Sequence, residues 1–130
     1  MLVRVYYEDT DAAGVVYHAR YLHFMERARA EYFRQYGYSV AALADAGYVF
    51  PVVAIEASFK SGAVLDDELI ITVEPGDISG ARFSVKQSVI RAADQSILVE
   101  ARVTLACIGH NRRPKRIPEV ITALWGKEKL

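Results

Sequence analysis

The sequence predicts an α+β domain in which an antiparallel sheet packs around one long helix. Apolar residues recur every three or four positions between Ala19 and Tyr36, which is the pattern of one buried helical face. Most of the chain after this helix has the composition of strands joined by short connections, and short connections favour antiparallel neighbours. The long helix is then available to cover one apolar face of the sheet.

The long helix is predicted over residues 19–36. Ala28 and Ala30 favour helix, and neither Pro nor Gly interrupts the stretch. Gly37 follows directly and is typical of the residue just past a helix end. The residues expected on its buried face are Tyr21 or Leu22, Met25, Ala28, Tyr32 and Tyr36.

The other elements are predicted from residue composition and from the residue types that begin or end helices and strands. Ser39 is a candidate N-cap for a short helix that Gly47 ends. Pro51, near the start of one strand, indicates a sheet edge or a bulge. Residues 75–80 and 92–95 are predicted to be turns. Strands are predicted at 2–7, 48–59, 68–74, 82–91 and 96–108, and helices at 39–46 and 118–125.

Composition excludes several classes of protein. A chain of 130 residues, 52 % of them hydrophobic, is expected to form one domain over residues 1–130 without disulfides or metal. Sixteen basic and sixteen acidic residues give zero net charge, which argues against a general nucleic-acid binder. A single cysteine favours a reducing compartment. No signal peptide or membrane span is evident, so we expect a cytoplasmic protein.

The acidic loop before the long helix carries the first candidate site residues. Asp11 precedes the helix start near His18, where unpaired N–H groups carry a partial positive charge. A carboxylate beside such donors can attack a carbonyl or activate water, and Gly14 lets the backbone approach a substrate. The local pattern alone favours a simpler alternative. In that interpretation Asp9, Thr10 and Asp11 only cap the helix or form an Asx turn.

Two other candidates are weighed in the same way. His18 is either a general acid or substrate binder, or an aromatic-like residue packed on Tyr17. Cys107, within a predicted strand, is expected to be a small core residue. The acidic and histidine residues near the loop match no established metal-ligand spacing, so no metal site is predicted. Phosphate-binding and dinucleotide-binding glycine motifs and the GxSxG motif are absent from the sequence.

Several segments together resemble a known family. Residues 7–11, 14–18, 21–22 and 26–29 (YEDTD, GVVYH, YL and ERAR) closely resemble the acyl-CoA thioesterases of the hotdog superfamily, in the branch of the YbgC and 4-hydroxybenzoyl-CoA thioesterases. The segments 65–69 and 112–118 support the same resemblance, which covers nearly the whole chain.

The resemblance implies a hotdog fold, hydrolysis of an acyl-CoA without metal or organic cofactor, and a homo-oligomer, dimer or tetramer, with active sites between subunits. It implies that Asp11 is the catalytic carboxylate, as nucleophile or general base, that the N–H of His18 is the oxyanion donor, and that Gly14 shapes the loop. We expect a short-chain or aromatic acyl group. The residues expected to bind substrate are Tyr7, Val16, Tyr17, Lys60 and Arg82, with the basic loop 112–116 as a further candidate for the CoA phosphates.

The chain departs from the family pattern at two places. Ala13-Gly14 stands where relatives of the YbgC type commonly have two glycines, and Ser61-Gly62 stands where the family often has Pro-Ala.

Two other functions remain open at this stage. One is a hydratase or dehydratase of acyl thioesters that uses Asp11 and His18 together, and the other is a non-catalytic acyl-CoA binding module.

Overall fold

The computed structural model describes residues 1–128, and one antiparallel sheet dominates it. The strands are Leu2–Arg4 (β1), Val52–Phe59 (β2), Glu68–Ile71 (β3), Glu74–Ser79 (β4), Arg82–Arg91 (β5) and Ile97–Ala106 (β6). The helices are His18–Gln35 (α1), Val40–Asp45 (α2) and Glu119–Glu128 (α3), and a 3-10 turn spans Tyr7–Asp9. Among these residues, none of the helices combines the length and the apolar character needed to cross a bilayer.

Strand β5 organises the sheet. The strand order is β1-β3-β5-β6-β2, and β4 pairs with the first half of β5. The prediction for residues 82–91 is confirmed, and so is its alternation, because one side of β5 faces the core while the other carries residues such as Lys86 and Ser88. The core-facing residues of β5 are Phe83, Val85, Gln87 and Val89.

Helix α1 lies along the sheet and joins two core clusters. Its first half packs with Leu69, Val89 and Val99, and its second half packs with Phe83, Val103 and Trp125. The helix is confirmed within one residue at each end. The predicted buried face is also confirmed, except that Tyr36 is 37 % exposed because it follows the last helical residue. The buried residues of α1 are Tyr21, Phe24, Met25, Ala28, Tyr32 and Phe33.

Several predictions at the strands are wrong. Strands β2 and β3 are shorter than the predicted ranges 48–59 and 68–74. Residues 75–80 are not a turn, because Glu74–Ser79 forms β4, so five strands rather than four follow α2 in the described part of the chain. The pairing of β4 with β5 shifts in register between Pro75 and Ile78. Such an irregularity allows Pro and Gly within a strand at a sheet edge. The first strand is also shorter than predicted, because the chain coils into the turn Tyr7–Asp9.

Strand β2 is an edge strand, as Pro51 indicated. It pairs with β6 on one side only, and its register is irregular between Val52 and Ala54. Ile55 and Phe59 pair with the buried residues Val103 and Val99 and share their face of the sheet, yet they are 40 % and 49 % exposed. One chain therefore leaves part of the apolar inner face of its sheet uncovered.

The short helix α2 begins as predicted. The side chain of Ser39 accepts the N–H of Ala42 at 3.1 Å, and Gly47 follows the helix end with a φ of 96°.

Candidate active site

The loop between the 3-10 turn and α1 is a small hairpin. Thr10 pairs with Val16, and the N–H of Asp11 donates to the carbonyl of Val15 at 2.9 Å. The N–H of Gly14 donates to the carbonyl of Asp11 at 3.0 Å, which closes the turn. Gly14 has a φ of 82°, a left-handed conformation that glycine adopts without strain. The hairpin therefore holds Asp11 at the first position of an exposed turn.

The Asp11 carboxylate forms the Asx turn that the sequence suggested as an alternative. Its Oδ1 accepts the N–H of Ala13 at 2.9 Å, and the residue is exposed. Within residues 1–128, its other oxygen, Oδ2, accepts no hydrogen bond from the protein. The Asx turn thus orients the carboxylate and leaves one oxygen available for chemistry.

Neither Asp9 nor Asp11 caps α1. The residue before the helix, Tyr17, has an extended conformation with φ −62° and ψ 130°, and its side chain accepts no hydrogen bond from the first turn. The first turn also contains no acidic residue. The N–H of Arg20 donates to the carbonyl of Tyr17 at 2.8 Å, so the partial positive charge of the helix start lies at the N–H groups before it, beginning with that of His18. An uncapped helix start can stabilise negative charge that develops on a carbonyl oxygen.

Aromatic rings surround this helix start. The His18 ring lies 4.5 Å from the Tyr17 ring and 6.2 Å from the Phe59 ring, measured between centroids. The Tyr21 ring lies 5.9 Å from that of Phe59. Packing of His18 on Tyr17 is therefore present, and the exposed His18 also remains accessible to a ligand. Sequence reasoning missed Phe59, since only the fold brings the end of β2 to the start of α1.

A second segment supports the hairpin from behind. Val15 pairs with Val64, and the N–H of Val16 donates to the carbonyl of Ala63 at 2.9 Å. The N–H of Ala63 in turn donates to the hydroxyl of Tyr21 at 3.0 Å. Burial raises the pKa of the Tyr21 hydroxyl, although its hydrogen bond from Ala63 acts in the opposite direction. The sequence offered no signal for this support beyond the place of Tyr21 on the buried face.

The predicted substrate-binding residues lie in three different places. Tyr7, Tyr17 and Lys60 are exposed near the hairpin or the end of β2, and Lys60 pairs with Glu100 at 3.2 Å. Val16 is only 4 % exposed and packs in the core beneath the loop. Arg82 lies elsewhere, at the first residue of β5.

Arg82 and the basic loop lie at the end of the sheet away from α1's start. Arg82 pairs with Ala106, whereas Phe59 belongs to the row of Val89 and Val99. Seven residues separate Arg82 from Val89 along β5, so the two rows are about 23 Å apart. Within one chain the structure does not bring Arg82 together with Asp11.

The basic loop is anchored at that far end. The Lys115 ammonium donates to the carbonyl of Gly47 at 3.2 Å and lies 3.9 Å from the centre of the Tyr48 ring. None of the ion pairs within residues 1–128 engages the four basic residues of this loop, so it is a net positive patch. These residues are Arg112, Arg113, Lys115 and Arg116.

Cys107 is a core residue, as predicted. It is 0 % exposed, and burial raises the pKa of its thiol. The described residues contain no cluster of three or more His, Cys, Asp or Glu side chains arranged to hold a metal ion.

The chain is similar to known proteins over most of its length. The sequence profile of the thioesterase-like superfamily matches residues 5–124. The chain is 40 % identical to the acyl-CoA thioesterase YbgC of Haemophilus influenzae over 95 % of this chain and 90 % of that protein. It is 39 % identical to the acyl-CoA thioester hydrolase YbgC of Escherichia coli O157:H7 over 93 % of this chain and 90 % of that protein.

Solved structures share the fold. A protein of Bartonella henselae described as a probable thioesterase superposes with a TM-score of 0.85 at 38 % identity, covering 91 % of this chain and 97 % of that one. A 1,4-dihydroxy-2-naphthoyl-CoA thioesterase of Synechocystis superposes with a TM-score of 0.91 at 22 % identity, over 100 % of this chain and 96 % of that one. With its hotdog fold, the chain belongs to the thioesterase-like superfamily.

Proposed function

We propose that Asp11 is the reacting carboxylate with which this enzyme, an acyl-CoA thioester hydrolase, cleaves its substrate. The carboxylate attacks the thioester carbonyl carbon, or it takes a proton from a water molecule that attacks there. The C–S bond then breaks, CoA leaves as the protonated thiol, and the acyl group is released as the free acid with an oxygen from water. The observation that carries this proposal is the unengaged Oδ2 of Asp11 in a hairpin that leads to an uncapped helix start.

The start of α1 supplies the oxyanion donor. Negative charge develops on the carbonyl oxygen as the tetrahedral centre forms, and the N–H of His18, the first residue of α1, is the proposed donor to it. Gly14 allows close approach of the loop backbone. Removing one oxyanion donor typically costs about a hundredfold to a thousandfold in kcat.

We propose a short-chain or aromatic acyl group. The exposed rings of Tyr7, Tyr17 and Phe59 offer an apolar, aromatic surface beside the helix start. Val16 is buried, so it supports this surface from the core instead of being exposed on it.

We propose that the enzyme is a homo-oligomer built on the free edge of β2, as a dimer or a pair of dimers. Antiparallel pairing of two β2 strands about a two-fold axis covers the exposed faces of Ile55 and Phe59. It also brings the far end of the partner's sheet next to this chain's helix start. Arg82 and the basic loop then reach the CoA phosphates from the partner subunit, while Lys60 does so from its own chain.

The CoA substrate and the single reduced cysteine suit a cytoplasmic enzyme, and we propose that location.

The first experiment measures CoA release from acyl-CoAs of increasing chain length and from aroyl-CoAs. Wild type is compared with Asp11→Asn and with Asp45→Asn, which changes an exposed carboxylate of α2. We expect Asp11→Asn to lose at least about a hundredfold in kcat and Asp45→Asn to match wild type. Equal rates for Asp11→Asn and wild type, with both folded, would remove Asp11 from the mechanism. The intact mass of enzyme quenched during a single turnover separates the two roles, since only a nucleophilic Asp11 carries the acyl group as an anhydride.

The oligomer is tested separately with Ile55→Glu. A charge on the inner face of β2 opposes pairing of the two edges, so we expect a smaller particle in light scattering and a loss of activity. Glu56→Gln changes the neighbouring exposed residue on the outer face and is the matched control. An Ile55→Glu variant that keeps the wild-type mass and rate would contradict pairing through β2.

A further inference from the structure

Asp9 is a buried carboxylate that joins two elements. Its side chain is only 9 % exposed. Its Oδ2 accepts the N–H of Tyr6 at 2.9 Å, and its Oδ1 lies 3.7 Å from the Nε of Arg20, in the first turn of α1. A buried carboxylate requires such partners, because its charge has lost most of its contact with water.

The backbone of Asp9 holds the other end of the same loop. Its carbonyl accepts the N–H of Tyr17, the residue directly before α1, at 2.9 Å. Arg20 adds a second tie, because its Nη2 donates to the carbonyl of Glu8 at 3.3 Å. The hairpin that carries Asp11 therefore begins and ends on one unit, formed by Asp9, Tyr17 and Arg20.

We infer that Asp9, paired with Arg20, is a positioning residue for thioester hydrolysis. The pair clamps the base of the hairpin to the first turn of α1, and so fixes the Asp11 carboxylate relative to the N–H of His18. This inference rests on the proposed roles of Asp11 and His18. Neither Asp9 nor Arg20 touches the reacting atoms. Their effect is geometric, and a misplacement of about 1 Å costs on the order of a hundredfold in rate.

The charge of Asp9 matters beyond its hydrogen bond. An asparagine oxygen can still accept the N–H of Tyr6, but it leaves the guanidinium of Arg20 without its counterion. The two side chains therefore act as one unit. Once one of them is substituted, substitution of the other is expected to lower kcat little further. That non-additivity is the signature that separates a positioning pair from two independent contributions to folding.

The test is a double-mutant cycle in kcat and KM with Asp9→Asn, Arg20→Gln and both together, measured well below each melting temperature. We expect each single variant to lower kcat roughly tenfold to a hundredfold with little change in KM, and the double variant to be no slower than the slower single one. Arg20→Lys keeps the positive charge and is expected to retain most of the rate. Glu68→Gln breaks the exposed ion pair with Arg4, outside the loop, and serves as the control with wild-type kcat.

Three outcomes overturn the inference: multiplying effects of the two substitutions, a change in KM alone, or a wild-type kcat in folded Asp9→Asn. Asp11→Asn, measured alongside, separates this failure from that of the mechanism. A fast Asp11→Asn rejects the proposed role of Asp11, whereas a slow Asp11→Asn with a fast Asp9→Asn rejects only the positioning pair.

Discussion

The hydroxyl of Tyr21 accepts the backbone N–H of Ala63 at 3.0 Å inside the core, and this bond ties α1 to the segment that supports the hairpin of Asp11. The same segment accepts the N–H of Val16 through the carbonyl of Ala63. A helix, a connecting segment and the hairpin are thus joined by two consecutive hydrogen bonds. We therefore expect the position of the hairpin to depend on the Tyr21 hydroxyl.

Tyr21→Phe is expected to destabilise the protein and to loosen the site. The ring still fits, but the buried N–H of Ala63 loses its acceptor, which costs about 1–3 kcal/mol of the free energy of unfolding. Urea unfolding measures this loss, and kcat is expected to fall with it. Tyr38→Phe removes the hydroxyl of a half-buried tyrosine packed on the other core cluster, and it is the control. A Tyr21→Phe variant as stable as wild type would show that the N–H of Ala63 finds another acceptor.

Gly62→Ala is expected to slow the reaction through the hairpin. A Cβ atom at position 62 meets the Cγ1 atom of Val15 at 3.0 Å and its Cβ at 3.1 Å, so Val15 must move. Because Val15 also accepts the N–H of Asp11, we expect kcat to fall roughly tenfold. Steady-state kinetics of the purified variants measure the effect.

Two further variants control that prediction. Val15→Ala combined with Gly62→Ala removes the close contact and is expected to recover part of the rate. Gly126→Ala adds a methyl group where no atom lies within 4 Å, and it is expected to behave as wild type. Equal rates for Gly62→Ala and wild type would show that the loop accommodates a Cβ atom at position 62 without moving Asp11.

Trp125 is expected to anchor α3 with no effect on the chemistry. Its ring stacks on Phe33 at 5.9 Å and meets Phe83 edge-on at 5.1 Å, and its Nε1 donates to the carbonyl of Ser84 at 3.0 Å. Trp125→Ala should lose about 3–5 kcal/mol of the free energy of unfolding. Trp125→Phe should lose less, because only the hydrogen bond and part of the ring are removed.

Far-ultraviolet circular dichroism during urea unfolding measures the stability of both Trp125 variants. Fluorescence is unsuitable because each substitution removes the single tryptophan of the chain. The kcat of folded Trp125→Phe is expected to match wild type, because this cluster lies towards the other end of α1. A lower kcat would imply coupling between the two core clusters.

Cys107 gives the stability a dependence on alkaline pH. Burial raises the pKa of its thiol above the ordinary value of 9.0, so the folded protein keeps this proton to higher pH than the unfolded chain does. The contribution of the protonated thiol to the free energy of unfolding is fully present below pH 9.0. It is lost as the pH rises through the raised pKa of the folded state. Urea unfolding across this range should show a smaller decline for Cys107→Ala than for wild type. Equal slopes for the two proteins would contradict the burial effect.

Local patterns in the sequence determined much of the architecture. The spacing of apolar residues was sufficient for α1, and the alternation of residue types was sufficient for β5, although Ser84 on its outer side is also buried. Ser39 and Gly47 marked both ends of α2. The acidic loop before α1 pointed to Asp11 and His18, and the family resemblance agreed with the comparisons. Each of these features depends on residues within a few positions of one another, where propensity and periodicity act.

The tertiary structure alone decided the features that join distant segments. Pro75 and Gly76 indicate a turn locally, but pairing with β5 makes them part of β4. The hydrogen bond between Ala63 and Tyr21 spans 42 positions, and the separation of Arg82 from the hairpin follows from the strand order. These outcomes depend on the free energy gained when remote segments pack and pair, which no short window of sequence contains. The sequence therefore determined most of the elements and pointed to the loop of Asp11, whereas packing decided what holds that loop in place.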